Sequence, residues 1–361
     1  MIDRYADRRA RLAAAALAEG LDGLIVAGAS NLRYLTGFTG SAGHLVVTAG
    51  GTTLLTDFRY AVQGPAEVGP GVTVRIERAS LWKGLRGLVG GSGLRRVGID
   101  RHRVTLADLD ELQQLEGVEL VPGAGRVEAL RMVKDADETA RIREAARLAS
   151  EALAAVIGGI RPGRREIDVA AELEAALRVR GSEWHPFHTI VASGPRSALP
   201  HAQSTSRVIG AGDLLVVDFG AQLDGYCSDI TRTFVVGAAA DGRQREVYSI
   251  VEQAQHRARR LMRAGMTGRE IDALARDPIT TAGMGEAFGH SLGHGVGLEV
   301  HEEPRLAKTS ETVIPPGAVV TVEPGVYFEG WGGVRIEDDV AVTAGGAECL
   351  SDGRTELIEL T

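Results

Sequence analysis

The segment Gly212-Asp-Leu-Leu-Val-Val-Asp218-Phe-Gly220 returns later in the chain as Gly317-Ala-Val-Val-Thr-Val-Glu323-Pro-Gly325, at an offset of 105 residues. Upstream, Arg165-Glu166-Ile167-Asp168 returns as Arg269-Glu270-Ile271-Asp272 at an offset of 104. Each copy follows a long helical pattern and a glycine-containing turn, Arg161-Pro162-Gly163 and Arg263-Ala264-Gly265, and opens a further helix. Two matches in the same order at nearly one offset predict two fused helix–helix–strand units. Such a duplication restricts the fold strongly, because halves packed about a pseudo-twofold axis bring equivalent residues together.

The residues that would converge are acids. Asp218 and Glu323 end the apolar runs 214–217 and 319–322. A carboxylate at the end of a buried strand is costly unless it is paired, hydrogen-bonded or metal-bound. Each half then turns, through Asp224-Gly225-Tyr226 or through 330–333, into a return strand with another acid. Asp229 lies eleven residues after Asp218, and Glu337 fourteen after Glu323. Carboxylates crowded on one axis raise one another's pKa, and two divalent cations would relieve them. An imidazole is offered by Phe288-Gly-His290-Ser-Leu-Gly-His294-Gly-Val-Gly297. Ser291 stands where a helical zinc motif needs glutamate, and the glycines predict a strand or loop that lets the backbone approach a ligand closely. One histidine can then bind metal while the other faces substrate. Oxygen-rich coordination with one imidazole suits Mn²⁺, Co²⁺, Fe²⁺ or Zn²⁺.

The first ~125 residues read as an α/β unit, with strands alternating with helices. A helix is expected over 6–19, strands at 24–26, 45–47, 52–56 and 97–100, and a hairpin at Gly50-Gly51. Val121-Pro-Gly-Ala-Gly125 reads as a linker, followed by a long helix over 136–158. The domains expected are therefore 1–125 and 126–361. A formal net charge of -8 argues against a nucleic-acid partner, and the run Arg257, Arg259, Arg260, Arg263 reads as a solvated helix face. Two cysteines, Cys227 and Cys349, exclude a disulfide framework and a thiolate zinc site. No apolar run is long enough to span a bilayer, and the N-terminus reads as an amphipathic helix; a cytoplasmic protein is expected. There is no P-loop, no G-x-S-x-G elbow and no dinucleotide fingerprint.

The second half resembles the pita-bread metallopeptidases, which include methionine aminopeptidase, Xaa-Pro aminopeptidase (aminopeptidase P) and Xaa-Pro dipeptidase (prolidase). The resemblance is carried by Leu199-Pro-His201, Val217-Asp218-Phe-Gly220, Tyr226-Cys-Ser-Asp229-Ile-Thr-Arg-Thr233, Gly289 through Gly297, Val300-His301-Glu302-Glu303-Pro304, Thr321-Val-Glu323-Pro-Gly-Val-Tyr327 and Gly333-Val-Arg335-Ile-Glu337-Asp338. Asn31-Leu-Arg-Tyr34-Leu-Thr-Gly37-Phe-Thr-Gly40 and Thr56-Asp57-Phe-Arg59-Tyr60 resemble the N-terminal domain of the Xaa-Pro peptidases. The resemblance implies an α+β protein: a creatinase-like α/β domain, then a duplicated pita-bread domain. It implies metal ligation by Asp218, Asp229, His294, Glu323 and Glu337, with Asp229 and Glu337 bridging two divalent ions per subunit, Mn²⁺ foremost. Substrate and proton handling fall on His201, His290, His301, Glu323 and Arg335, with Tyr327 as a wall of the proline pocket beside His290 and Phe187. Ala202 departs from the glycine that close relatives often carry. The expected activity is hydrolysis of the N-terminal Xaa-Pro bond of peptides by a homodimeric aminopeptidase. The alternatives are a prolidase restricted to dipeptides, a metal-free hydrolase of the creatinase kind, and a non-catalytic peptide-binding protein. Arg59 and Arg335 are the arginines available to a dipeptide's free carboxylate.

Overall fold

In the computed structural model, described over residues 4–352 and 354–361, the chain divides into two compact units, Met1–Arg131 and Met132–Thr361. The first is built on six strands: β1 (Gly23–Val26), β2 (His44–Thr48), β3 (Gly51–Asp57), β4 (Val72–Glu77), β5 (Arg96–Asp100) and β6 (Glu119–Gly123), in the order β4-β3-β2-β1-β5-β6. The β2–β3 hairpin closes where Thr48 pairs with Gly51, as the glycine pair predicts. Ile25, Val46, Leu55, Val97 and Ile99 form one buried layer with Leu85 and Val89 of the helix Leu81–Gly90.

The supposed linker is not one. Residues 121–123 pair in parallel with β5 as the sheet's last strand. Pro122 is tolerated there because an edge strand does not need every N–H. The helix Arg126–Arg131 follows and still belongs to the first unit. The two units meet at Arg131/Met132, six residues beyond the expected boundary.

The second unit opens with the helix Ala136–Val156, started by a capping box in which Asp135 and Glu138 satisfy each other's backbone N–H. Its alanine-rich stripe, Ala145, Ala146, Ala149 and Ala152, packs on Val169, Leu173 and Leu177 of the helix Glu166–Val179. The second half repeats this. Val247, Val251, Ala254 and Ala258 of the helix Gly242–Leu261 pack with Ile271, Ala275 and Ile279 of the helix Gly268–Thr281. Arg257, Arg260 and Arg263 are exposed, but Arg259 leaves the solvated face to donate to the buried Asp338 at 2.8 Å.

Strands β7 (Ile190–Ser193), β8 (Asp213–Phe219) and β11 (Ile230–Val236) form an antiparallel sheet, with a small hairpin of β9 (Gln222–Leu223) and β10 (Tyr226–Cys227) between the last two. In the second half β12 (Gly293–Gly295), β13 (Glu302–Leu306), β14 (Val319–Val322), β17 (Asp338–Thr343) and β18 (Gly346–Cys349) make the sheet β13-β12-β14-β17-β18. The hairpin of β15 (Gly325–Phe328) and β16 (Gly332–Arg335) again lies between the paired strands. The final strand, β19 (Ile358–Leu360), joins β11 in parallel.

The duplication is present, but its register differs from the sequence match. Arg165 occupies the N-cap position of the first helix and Thr267 that of the second, 102 residues apart rather than 104. Gly163 N–H donates to Ile209 O and Gly265 N–H to Ile314 O, both at 2.9 Å, which fixes the same equivalence. The Arg-Glu-Ile-Asp match is therefore slipped by two residues. Glu166 is fully buried and accepts from the Ser193 N–H and hydroxyl, Arg196, and the Thr205 N–H and hydroxyl. Its counterpart is Gly268, where a Cβ would lie 2.1 Å from Arg305 O.

Candidate metal centre

The fold delivers the acids two by two. Asp218 sits one residue before the end of β8, and Glu323 directly follows β14. Asp229 and Glu337 each lie two residues beyond the end of an inserted hairpin, at Cys227 and Arg335. The halves are joined at this point, since Glu337 N–H donates to Thr231 O at 3.1 Å. Asp229, His294 and Glu337 each place a ligand atom within 4.8 Å of the others. Glu323 Oε1 lies 3.4 Å from His294 Nε2, and Asp229 Oδ2 lies 3.7 Å from it.

His294 occupies the middle of β12. A Cβ on Gly293 would lie 2.0 Å from Thr321 O, so only glycine lets this strand press against β14. His294 Nδ1 lies 3.0 Å from Gly295 O and is the donor there. Burial pushes the imidazole down to about 4, so it is neutral at pH 7. Nε2 then presents a lone pair toward the carboxyl oxygens of Glu323 and Asp229. Burial, with mutual charge repulsion added, raises Asp229 and Glu337 well above the carboxylate range. Burial also carries Glu323 up to about 8, against the opposing charge of Arg335. The buried Oδ1 atoms of Asp218 and Asp229 have no hydrogen-bond partner. The His294 lone pair and the destabilised carboxyls of Asp229, Glu323 and Glu337 lie together, and with the orphaned oxygens of Asp218 and Asp229 that donor set fits divalent cations.

The other functional candidates surround this cluster. Arg335 is buried and fully engaged: it donates to Asp218 Oδ2 at 2.6 Å, Tyr327 Oη at 2.7 Å, Thr231 Oγ1 at 3.1 Å and Pro200 O at 3.3 Å. Tyr327 Oη lies 3.0 Å from His290 Nε2, whose Nδ1 is 2.8 Å from Ser291 O. The consistent assignment has Nδ1–H donating to Ser291 O and the Tyr327 hydroxyl donating to Nε2. Burial holds His290 down to about 4 and Tyr327 up to about 12. His301 lies beside His294 with ring centroids 4.2 Å apart and the planes tilted by 56°, and burial, joined by the charge of His201, lowers its pKa. His201 is exposed and acts electrostatically on both His290 and His301. Next to His301, Glu302 Oε1 lies 2.9 Å from Lys134 Nζ in a buried pair. Phe187 is half-buried. Arg59, in the first unit, is chelated by Asp57 through both Nε and Nη2.

Three supporting residues have no role assigned from the sequence. Thr231 donates to Glu337 Oε2 at 2.5 Å. Thr321 donates to Glu323 Oε1 at 3.3 Å and accepts from His294 N–H. Asp339 accepts the backbone N–H of Asp229 at 3.1 Å. Each lies two residues from a candidate ligand, which is the strand period, so alternation along the strands was the available signal.

Residues 140–344 match the metallopeptidase family M24 model. The chain belongs to metallopeptidase family M24. As an M24 metallopeptidase it is a hydrolase, and the family together with the cluster of Asp229, His294 and Glu337 supports the use of divalent metal. Residues 8–133 match the creatinase/prolidase N-terminal domain, so the creatinase-like plus pita-bread organisation holds. The M24 chain is 42% identical to a solved Xaa-Pro dipeptidase from Bacillus anthracis, with a TM-score of 0.95, covering 99% of this chain and 100% of that one. It is 37% identical to the Xaa-Pro dipeptidase of Pyrococcus horikoshii over 94% of this chain and 95% of that protein. A solved X-Pro aminopeptidase from Thermotoga maritima is 36% identical, with a TM-score of 0.90, covering 97% of this chain and 99% of that one. These relatives support a peptide substrate, and they favour the dipeptidase alternative over the aminopeptidase expectation. Among the described residues no helix is long and apolar enough to cross a membrane.

Proposed function

We propose that this chain is a metal-dependent Xaa-Pro dipeptidase, in which Asp218, Asp229, His294, Glu323 and Glu337 hold two divalent ions, Mn²⁺ foremost. The observation that carries the metal assignment is the neutral His294 lone pair 3.4 Å from Glu323 and 3.7 Å from Asp229. Preference for dipeptides over longer peptides rests on the Xaa-Pro dipeptidases among the relatives. When bound, the ions supply positive charge that offsets the carboxylates and lowers the pKa of a water toward neutrality.

The chain's own residues do the rest. Arg335 fixes Asp218 with a charge-assisted bond, so one acid is oriented before substrate arrives. Glu323 is the carboxyl suited to take a proton from the attacking water and pass it to the leaving proline nitrogen. His301, held neutral, donates to the scissile carbonyl oxygen as charge develops on it, while His290, its Nδ1–H committed to Ser291 O and its Nε2 to Tyr327, shapes the site beside it. Tyr327 and His290 wall the proline ring, which a site must recognise by shape because an Xaa-Pro bond lacks an N–H. With Arg335 and Arg59 engaged by Asp218 and Asp57, the exposed His201 is a group available to meet the dipeptide's carboxylate.

The deciding experiment compares kcat/KM for Xaa-Pro, Xaa-Pro-amide and Xaa-Pro-Tyr with Mn²⁺ present. The dipeptide should be favoured by at least about tenfold, the effect of one lost charge-assisted contact. Equal or better cleavage of the tripeptide would return the aminopeptidase reading.

A further inference from the structure

We propose that Asp272 and Arg276, on the helix Gly268–Thr281, are positioning residues that clasp the glycine-rich loop carrying His290. The inference rests on the reading of His290 as a substrate-facing group. The pair is bidentate, with Arg276 Nε to Asp272 Oδ2 at 2.5 Å and Nη2 to Oδ1 at 2.8 Å. Its side chains are only 10% and 2% exposed. A buried ion pair of this kind confers no clear stability advantage over apolar residues of the same size. What distinguishes it is where its remaining hydrogen bonds go.

Arg276 Nη1 donates to Phe288 O at 2.9 Å, and Nη2 donates to His290 O at 2.7 Å. Asp272 Oδ1 accepts the Leu292 N–H at 3.1 Å. The guanidinium carbon also lies 3.9 Å from the centroid of the Phe288 ring, and that ring meets His290 edge-on, with centroids 5.1 Å apart. One ion pair therefore grips the backbone at 288, 290 and 292, on both sides of His290, where the chain is neither helix nor strand. With Gly289 in this stretch, the backbone has little intrinsic preference to hold it. The planar five-donor fork of arginine reaches two carbonyls and a carboxylate together, and a lysine ammonium cannot. The neighbouring β12 is held separately by its pairing with β13 and β14, so His294 does not depend on the clasp.

The test uses Arg276→Lys and the double variant Asp272→Leu/Arg276→Met, which removes both charges and leaves neither buried alone. In the full-length Mn²⁺-loaded protein, bound metal should be unchanged. Turnover of an Xaa-Pro dipeptide should fall by about 10- to 100-fold in kcat, the scale of an ångström misplacement. In a His290→Ala background the same substitutions should cost less than about twofold more, because they act through His290. Hydrogen exchange should accelerate in peptides covering 286–293 and stay unchanged in 242–261. Equal losses in both backgrounds, loss of metal, or unaltered exchange over 286–293 would overturn the clasp. A parent protein that cleaves no Xaa-Pro peptide would instead overturn the proposed function, and the exchange result would still decide the clasp.

Discussion

Removing the metal should make stability fall as pH rises above about 6.5. In the chelated protein, burial raises Glu323 from the ordinary 4.5 to about 8, with Asp218 adding to the rise and Arg335 opposing it. A carboxyl whose folded pKa lies above its unfolded value stabilises the fold below the unfolded pKa. That contribution is lost as pH climbs through the folded one. His294 and His290 work the other way: burial lowers both from 6.5 to about 4, so their contribution is lost as pH falls through that interval. Below 6.5 the two effects oppose each other; between 6.5 and 8 the carboxyls act alone. At ~1.36 kcal/mol per pH unit, Glu323 withdraws about 2 kcal/mol over that window, and Asp229 and Glu337 act in the same direction. For a unit of this size the melting temperature should drop by about 4–8 °C. The assay is thermal unfolding at pH 6.5, 7.2 and 8.0, with EDTA and with Mn²⁺. The metal-loaded curve should stay nearly flat, and Glu323→Gln should flatten the chelated one. Parallel curves with and without metal, or a chelated protein more stable at pH 8 than at 6.5, would refute the electrostatic reasoning.

Asp229→Asn and Glu337→Gln should each lose bound metal and at least about 100-fold in kcat/KM, checked by metal analysis and dipeptide turnover. His290→Ala and His301→Ala should keep their metal while turnover falls about 10- to 100-fold; loss of metal in His290→Ala with retention in His294→Ala would reverse their roles. Lys134→Met removes the ammonium 2.9 Å from the buried Glu302 carboxylate and should cost about 3–5 kcal/mol in urea unfolding.

The sequence was most legible where local rules and the duplication agreed. Gly50-Gly51 between two strand-forming runs specified the β2–β3 hairpin, and the repeat singled out four carboxylates that the fold does bring near one another. Misreadings came where a tertiary neighbour decided. Pro122 and Gly123 carry the punctuation of a linker, but β5 recruits them as an edge strand. Arg165 and Arg269 share letters, but the hydrogen bond from the turn before each helix to a later segment, at Ile209 or Ile314, sets the equivalence. Thr231, Thr321 and Asp339 obey the strand period, yet alternation marks them only once the ligands beside them are known. The Asp272–Arg276 clasp spans a helix and a loop whose proximity no local pattern records.

The contrast between Glu166 and Gly268 bears on how such a chain can be recombined. One half organises its helix start around a buried carboxylate with five hydrogen bonds; the other uses direct backbone contact against Arg305 O. A chimera that moves the second helix start into the first half would strand the donors of Ser193, Arg196 and Thr205. The reciprocal exchange would drive a glutamate into a carbonyl. The two lobes share an ancestry in their backbone path but are no longer exchangeable parts, and shuffling between them should fail in both directions for different reasons.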